Sequence, residues 1–440
     1  MRPNVSRRHF LAACGGCLTG SAARPQSSWF PRAGFGLFLH WGISSVKEVE
    51  IGWGVFQDVS GAKGAWPVEK YIEQAREFNP TRYDPDRWLA AAARAGFRYA
   101  VLTARHTDGY ALWPSDYGDF STKQYLGGRD LVGPFVEACR RNRLKVGLYY
   151  SPTNWLFNPP GWPYRGYPLR DREFRHRRPE RTLGVPRFAD AAPAELQRYF
   201  EVLYAYVKGQ VEELLTRYGK IDLLWWDGYD WPEGVDIHGE EMDALVRRLQ
   251  PEIVVNDRYR LWSEKPRFGD FSTAFENRAP QQRPAGVWEQ CEAVCGTWAW
   301  GGAELPCKSA AYLVERLVRN RAWGGNYLAG FGPRADGTLS PDYYRICDEI
   351  AAWMRHSGAS VRDVEPGPYP EQCDVPVTRR GNIWYLHLLG ETRRARLKGL
   401  PRPRRAVWLR TGRPARVSNG EVWLPADRRG EWDEVIEVRF

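Results

Sequence analysis

Short apolar runs rich in β-branched and aromatic residues alternate with segments whose apolar positions recur every three or four residues. The alternation persists over roughly three hundred residues, the pattern of successive strand–helix units. Eight strands are predicted, over 34–42, 99–106, 145–151, 221–228, 252–258, 271–276, 287–291 and 326–332. Helices are predicted between them over 85–95, 130–142, 194–218, 240–249 and 309–323. Asp130 is a natural N-cap and Gly219 a natural stop. This order predicts a (β/α)8-like, TIM-type barrel over 30–360. Beyond Gly358, Pro and Gly cluster around 364–370, and the tail reads as strands, for example 383–388 and 406–409. A small C-terminal β-sandwich domain is therefore expected over 361–440. Residues 156–192, rich in Arg, Pro and Gly with little periodicity, are read as a long barrel loop of the kind that shapes subsites.

The amino terminus follows a different pattern. Ser6-Arg7-Arg8-His9-Phe10-Leu11 precedes a short, small-residue apolar run and then Ser21-Ala22-Ala23. Charged, weakly apolar and small-residue segments in that order form a twin-arginine-type export signal, read over 1–23. A periplasmic or extracellular location follows. No later stretch approaches the roughly 18 apolar residues of a membrane span, so no stable membrane insertion is expected. Outside the leader stand Cys139, Cys291, Cys295, Cys307, Cys347 and Cys373, with no CxxC spacing. Zinc is disfavoured by that spacing, whereas an oxidising compartment permits disulfides. Cys291, Cys295 and Cys307 are nearest in sequence, and their pairing is left open.

Composition narrows the chemistry further. The net charge of +10 is carried by many Arg rather than one lysine-rich tract, so nucleic acid is not implied; a positive field favours at most an acidic polysaccharide. Aromatics make up 14% of the chain with 21 Trp, which suits stacking on sugars as well as filling a large core.

Active sites of such barrels lie at the C-terminal ends of the strands. Here those ends read His40-Trp41-Gly42, Arg105-His106-Thr107-Asp108, Tyr149-Tyr150-Ser151, Trp225-Trp226-Asp227-Gly228 and Asn256-Asp257-Arg258. Such a mouth offers hydrogen bonds to hydroxyls and aromatic faces to C–H groups. Asp227, after four apolar or aromatic positions and before a Gly, is the sharpest candidate; its plainer alternatives are an N-cap or a structural ion pair. Glycoside hydrolysis needs a second carboxyl group. Glu276 and Glu289 both follow an aromatic residue that limits hydration, as an acid/base requires; Asp270 and Glu292 are weaker candidates. His40 and His106 lack HxH or HExxH spacing, so no metal and no cofactor are expected, and hydrogen bonding to sugar hydroxyls is the better use.

These residues resemble the α-L-fucosidases of glycoside hydrolase family 29 over roughly 34–361. The matching segments are GFGLFLHWGISSV, FNPTRYDPDRWLAAAARAGFRYAVLTARHTDGYALWPS, RDLVGPFVEACRRNRLKVGLYYS, IDLLWWDG, IVVNDR and GGNYLAGFGPRADGTL. The resemblance implies a barrel followed by a β-sandwich and a retaining exo-hydrolase that releases α-L-fucose from a fucosylated glycan. It implies Asp227 as nucleophile, and His40, His106, Tyr149 and Arg258 as fucose contacts. Trp53 resembles a pocket-lining Trp of the first loop, and Trp225 and Thr107 fall among the substrate-binding positions. Glu276 lies within one residue of where similar enzymes carry the acid/base and is preferred to Glu289. Three departures stand out: Thr107 replaces the second His of a tandem pair, Gly52 replaces a frequent Glu, and the C-terminal domain is short. Two other readings remain: a hydrolase of another α-L-sugar, such as an α-L-galactoside, and a carbohydrate-binding protein without turnover.

Overall fold

The computed structural model describes residues 29–52, 68–154, 192–228, 236–259, 269–425 and 432–440. The segment read as an export signal, Trp53 and residues 156–191 of the expected long loop lie outside the described residues. All eight predicted strands form: β1 Phe35–Leu39, β2 Tyr99–Arg105, β3 Lys145–Tyr150, β4 Leu223–Trp226, β5 Val254–Val255, β6 Ser272–Glu276, β7 Trp288–Ala293 and β8 Asn326–Phe331. They make one parallel sheet in the order β5-β4-β3-β2-β1-β8-β7-β6. The two edges are drawn together by a parallel bridge between Asn256 and Phe271, reinforced by the Asp257 N–H donating to the Phe271 carbonyl at 3.0 Å. Strand β5 is short because the Asn256 side chain takes over its pairing. It accepts from the Trp226 N–H at 2.7 Å and donates to the Trp226 carbonyl at 2.8 Å.

The five predicted helices form within two residues of their expected ends, as α2 Pro85–Arg94, α3 Val132–Arg141, α4 Pro193–Arg217, α5 Gly239–Leu249 and α6 Ala310–Ala322. Asp130 caps α3 through one carboxylate oxygen that accepts from the N–H groups of Val132 and Gly133. Such a cap contributes about 1 kcal/mol. Two further long helices, α1 Val68–Glu77 and α7 Pro341–Ser357, and two single helical turns, Phe30–Ala33 and Thr122–Tyr125, are not among those predicted. In α7 the pattern is nevertheless legible, since Tyr343, Ile346, Cys347, Ile350, Trp353 and Met354 recur at helical spacing and are buried.

Side chains of one strand parity fill the barrel: Phe38, Tyr99, Val101, Tyr149, Leu223, Trp225, Val254, Cys291 and Leu328 form a single buried cluster. The opposite parity packs under the helices in the larger core. The chain ends in a sandwich of a five-stranded and a three-stranded antiparallel sheet. Leu386, Leu388, Trp408, Ile436 and Val438 of the first meet Ala395 and Val422 of the second. Trp353 of α7 ties it to the barrel by donating to the Asp433 carbonyl at 3.0 Å. The expected architecture, a TIM-type barrel with a small β-sandwich, is the one observed.

Candidate active site

Strand parity explains which side chains meet at the mouth. Leu223 and Trp225 face the barrel interior, so Asp227, two residues further, emerges on the same side at the open end of β4. Gly228 follows because its neighbour is backbone: a Cβ there would stand 2.2 Å from the Tyr259 carbonyl oxygen. The Gly228 N–H donates to the Arg258 carbonyl at 2.7 Å, bringing the end of β5 alongside Asp227.

Asp227 is buried and held from two sides. Tyr149 donates its hydroxyl to Oδ2 at 2.6 Å, and Arg258 approaches Oδ1 at 2.8 Å. The other guanidinium nitrogen of Arg258 donates to Glu276 Oε2 at 3.0 Å. Glu276 ends β6 and keeps about a third of its side chain exposed, as a group that meets a leaving group and water requires. The Arg258 guanidinium lies 4.9 Å from the Trp225 ring centroid. Trp225 stacks on Tyr149 at 5.5 Å, and Tyr149 on His106 at 5.3 Å with the planes 1° apart.

Two neutral imidazoles complete this face. Burial, with the nearby His106 and Arg258, holds the His40 pKa well below its ordinary value. Burial beside Arg105 pushes His106 down to about 3. Among the described residues the buried His40 Nδ1 has no hydrogen-bond partner, so it is available to a ligand. His106 Nδ1 is engaged by the Thr107 hydroxyl at 3.0 Å. The structure thus brings together His40, His106, Tyr149, Trp225, Asp227, Arg258 and Glu276. Thr107 stands behind His106, fully buried, rather than on its own.

Glu289 has different surroundings. It lies near the amino end of β7, away from the strand ends that form the mouth, and is fully buried. Tyr99, which opens β2, donates to its Oε2, and the Trp225 indole donates to Oε1 at 2.9 Å. Burial raises its pKa to about 7, with the two hydrogen bonds opposing. Glu289 belongs to the barrel floor, where it supports Trp225 from below, while the Trp288 that made it a candidate turns to the other side of the sheet, against Phe275 and Gly325.

Residues that the sequence did not single out frame the opposite wall. The Trp298 ring lies 4.8 Å from His40 and 5.8 Å from Phe38. Gly330 leaves room for it, since a Cβ there would stand 2.9 Å from the indole. Trp298 and Ala299 donate their backbone N–H groups to the Glu50 carboxylate at 2.8 and 3.0 Å, as does Ile51 at 3.0 Å. Burial nevertheless raises Glu50 to about 7, with the charge of Glu276 contributing. A disulfide between Cys295 and Cys307 closes the loop that carries Trp298 and Trp300. The first loop is tied down separately: Gly52 donates to the Tyr71 hydroxyl, which donates to Asp108. No group of three or more His, Cys, Asp or Glu among the described residues could hold a metal ion, and no described helix is long and apolar enough to cross a membrane.

A barrel mouth with two carboxylates joined by an arginine, beside neutral imidazoles and stacked aromatics, defines a glycoside hydrolase. The sequence model described as Alpha-L-fucosidase matches residues 18–359. Tissue alpha-L-fucosidase of Bos taurus is 28% identical over 391 residues, covering 83% of this chain and 75% of that protein. The structure of alpha-L-fucosidase isoenzyme 1 from Paenibacillus thiaminolyticus is 29% identical with a TM-score of 0.77, covering 93% of this chain and 97% of that one. A GH29 alpha-L-fucosidase from Bacteroides thetaiotaomicron, trapped as a covalent intermediate, is 22% identical with a TM-score of 0.74 over 94% of this chain and 95% of its own, and shares the fold. The chain belongs to the alpha-L-fucosidase family, and it is a fucose-releasing glycoside hydrolase.

Proposed function

We propose that this enzyme removes terminal α-L-fucose from glycans with net retention, Asp227 acting as nucleophile and Glu276 as acid/base. The observation that carries the assignment is the Arg258 fork, which holds one oxygen of each carboxylate within 3.0 Å of a guanidinium nitrogen. Retaining hydrolysis uses two neighbouring carboxyl groups, whereas inversion leaves a wider gap for water. In the first step an Asp227 oxygen bonds to the anomeric carbon as the glycosidic bond breaks, and Glu276 passes its proton to the departing oxygen. In the second, Glu276 takes a proton from water, whose oxygen displaces Asp227 from the opposite face.

The other side chains bind and orient. His40 and His106, neutral and close-packed, exchange hydrogen bonds with ring hydroxyls without a charge to desolvate. Tyr149 and Arg258 hold Asp227 in line by charge-assisted hydrogen bonds, and Trp225 is their platform. Trp53, from the resemblance alone, is assigned to the pocket lining.

Proton NMR of early turnover of an aryl α-L-fucoside tests the reading. The α-anomer of free fucose is expected first; a β-anomer released first would reject the double displacement. The 1–23 leader supports export by the twin-arginine route to the periplasm or beyond. Replacing Arg7 and Arg8 with Lys is expected to retain the unprocessed protein in the cell, and unchanged export would reject that route.

A further inference from the structure

Between residues 393 and 416 the chain has nine Arg, one Lys and neither Asp nor Glu. These ten cations equal the formal net charge of the whole protein, +10. Residues 361–440 as a whole carry 16 Lys and Arg against 11 Asp and Glu, a net +5, and this stretch is where their positive charge gathers. Its three-stranded sheet pairs the strands Arg394–Arg396, Glu421–Trp423 and Arg416–Ser418, with Glu421–Trp423 in the middle. Ala395, Val417 and Val422 point into the sandwich core. Alternation turns Arg394, Arg396, Arg416, Glu421 and Trp423 to the outer face, three cations to one carboxylate.

Register then builds a specific arrangement on that face. Arg394 and Arg416 lie opposite Trp423 from either side. Their guanidinium carbons stand 5.8 and 5.5 Å from its ring centroid. Arg394 is further oriented by Glu421 at 3.0 Å and Asp374 at 3.6 Å. Arg393, Arg396, Lys398 and Arg416 are exposed. The two outer strands lie about 10 Å apart, twice the usual strand spacing.

We propose that this outer face is a binding site for an acidic polysaccharide, one bearing sulfate or carboxylate groups. Glu421 and Asp374 offset Arg394 but leave Arg396 and Arg416 to give this face a net positive charge, which attracts a polyanion. Guanidinium groups stacked on an indole are weakly hydrated and held in plane, which suits two-pronged hydrogen bonding to sulfate or carboxylate. Single-stranded nucleic acid fits less well, because its binders offer aromatic faces to bases, and guanidinium groups already lie against the Trp423 ring. The choice of a polysaccharide rests on the fucosidase reading: the polymer that holds this face would also carry the fucose cleaved in the barrel. Tethering by one domain raises the effective concentration of the linkages presented to the other.

The test uses the full-length protein and three probes: dextran sulfate, neutral dextran and a DNA duplex. Dextran sulfate is expected to bind at low salt and to be released as salt rises, while neutral dextran does not bind. The double variant Arg396→Gln/Arg416→Gln is expected to weaken dextran sulfate binding at least tenfold, with kcat/KM on an aryl α-L-fucoside unchanged. Trp423→Leu, which removes the stacking platform but no charge, is expected to weaken binding severalfold; its aryl-fucosidase activity checks that the protein is folded. Variants that bind dextran sulfate like wild type would overturn the proposal. So would a duplex that binds as tightly as dextran sulfate with the same response to all three substitutions, which would mark nonspecific polyanion attraction. An inactive wild type on the aryl fucoside would instead reject the fucosidase reading and leave the binding result to be judged by itself.

Discussion

The Arg258 guanidinium joins Asp227 and Glu276, 2.8 Å from an oxygen of the first and 3.0 Å from an oxygen of the second. A charge held between two carboxylates keeps them close despite their repulsion, and its planar fork fixes their relative orientation. As the proposed acid/base, Glu276 has to leave the fork to some extent in order to reach a departing oxygen, whereas Asp227 keeps Tyr149 as a second anchor. Asp227, the proposed nucleophile, is thus the more firmly held of the two.

Asp227→Ala is expected to abolish turnover of an activated aryl α-L-fucoside, since no glycosyl-enzyme can form. Added azide restores some of the rate by entering from the vacated side, and the fucosyl azide it yields has inverted configuration. Substantial activity of the variant without azide would refute the assignment of the nucleophile.

Glu276 and Glu289 separate by leaving group and by pH. Glu276→Ala should slow substrates with poor leaving groups far more than activated ones, because only the former need a proton in the first step. Glu289→Gln should show no such dependence, since its partners are Tyr99 and Trp225 in the barrel floor. Stability gives the complementary signature. Glu289 has an ordinary carboxyl pKa of 4.5 and a folded one of about 7. Between those values the native state holds a proton that the unfolded state has lost, so this contribution is full below 4.5 and disappears as pH rises through 7. The loss is of order 1 to 3 kcal/mol. Urea unfolding of Glu289→Gln should accordingly fall less between pH 4.5 and 8 than that of wild type, and parallel curves would remove Glu289 as the source.

Much of this arrangement was legible in the sequence because periodicity and strand ends are local. The four apolar positions before Asp227 mark a strand, its last residue and its inward parity at once. Glu289 shows where local reading stops: the Trp before it signals dryness, but only the strand register tells whether that dryness belongs to the mouth or the floor. Glu50 was invisible for a related reason. Its partners Trp298 and Ala299 lie 248 and 249 residues away and are backbone N–H groups, which carry no side-chain signature. The disulfide was equally open, since three cysteines stood close enough to pair.

Glu50 leads to a prediction of its own. Glu50→Gln turns an amide nitrogen toward one of the backbone donors that the carboxylate now accepts, so the clamp on Trp298 weakens. Loss of one charge-assisted hydrogen bond costs about 1.5 kcal/mol, or roughly a tenfold rise in KM if it falls on sugar binding. The leaving-group dependence should stay as in wild type. A steeper dependence would mean that Glu50 itself participates in proton transfer, and an unchanged KM would mean that the Trp298 wall does not bind sugar.

Thr107 stands where the resemblance expects a second imidazole, and its hydroxyl is already engaged by His106 at 3.0 Å. A hydroxyl engaged in this way orients His106, and whether it also reads the sugar is what substitution decides. A pair of substitutions distinguishes orienting from reading. Thr107→Val keeps the shape and deletes the hydrogen bond, so it should lower kcat/KM severalfold for fucosides and α-L-galactosides alike and leave their ratio unchanged. Thr107→His fills space with a ring that can contact a sugar hydroxyl, and it should raise the preference for fucose roughly tenfold, the factor supplied by about 1.4 kcal/mol. The quantity to compare is the ratio of kcat/KM for the two aryl glycosides, because errors in active-enzyme concentration cancel in it. If Thr107→Val shifts the ratio as much as Thr107→His does, the hydroxyl itself reads the sugar. If neither shifts it, selectivity is set on the other wall of the pocket, by Trp298 and the residues that hold it.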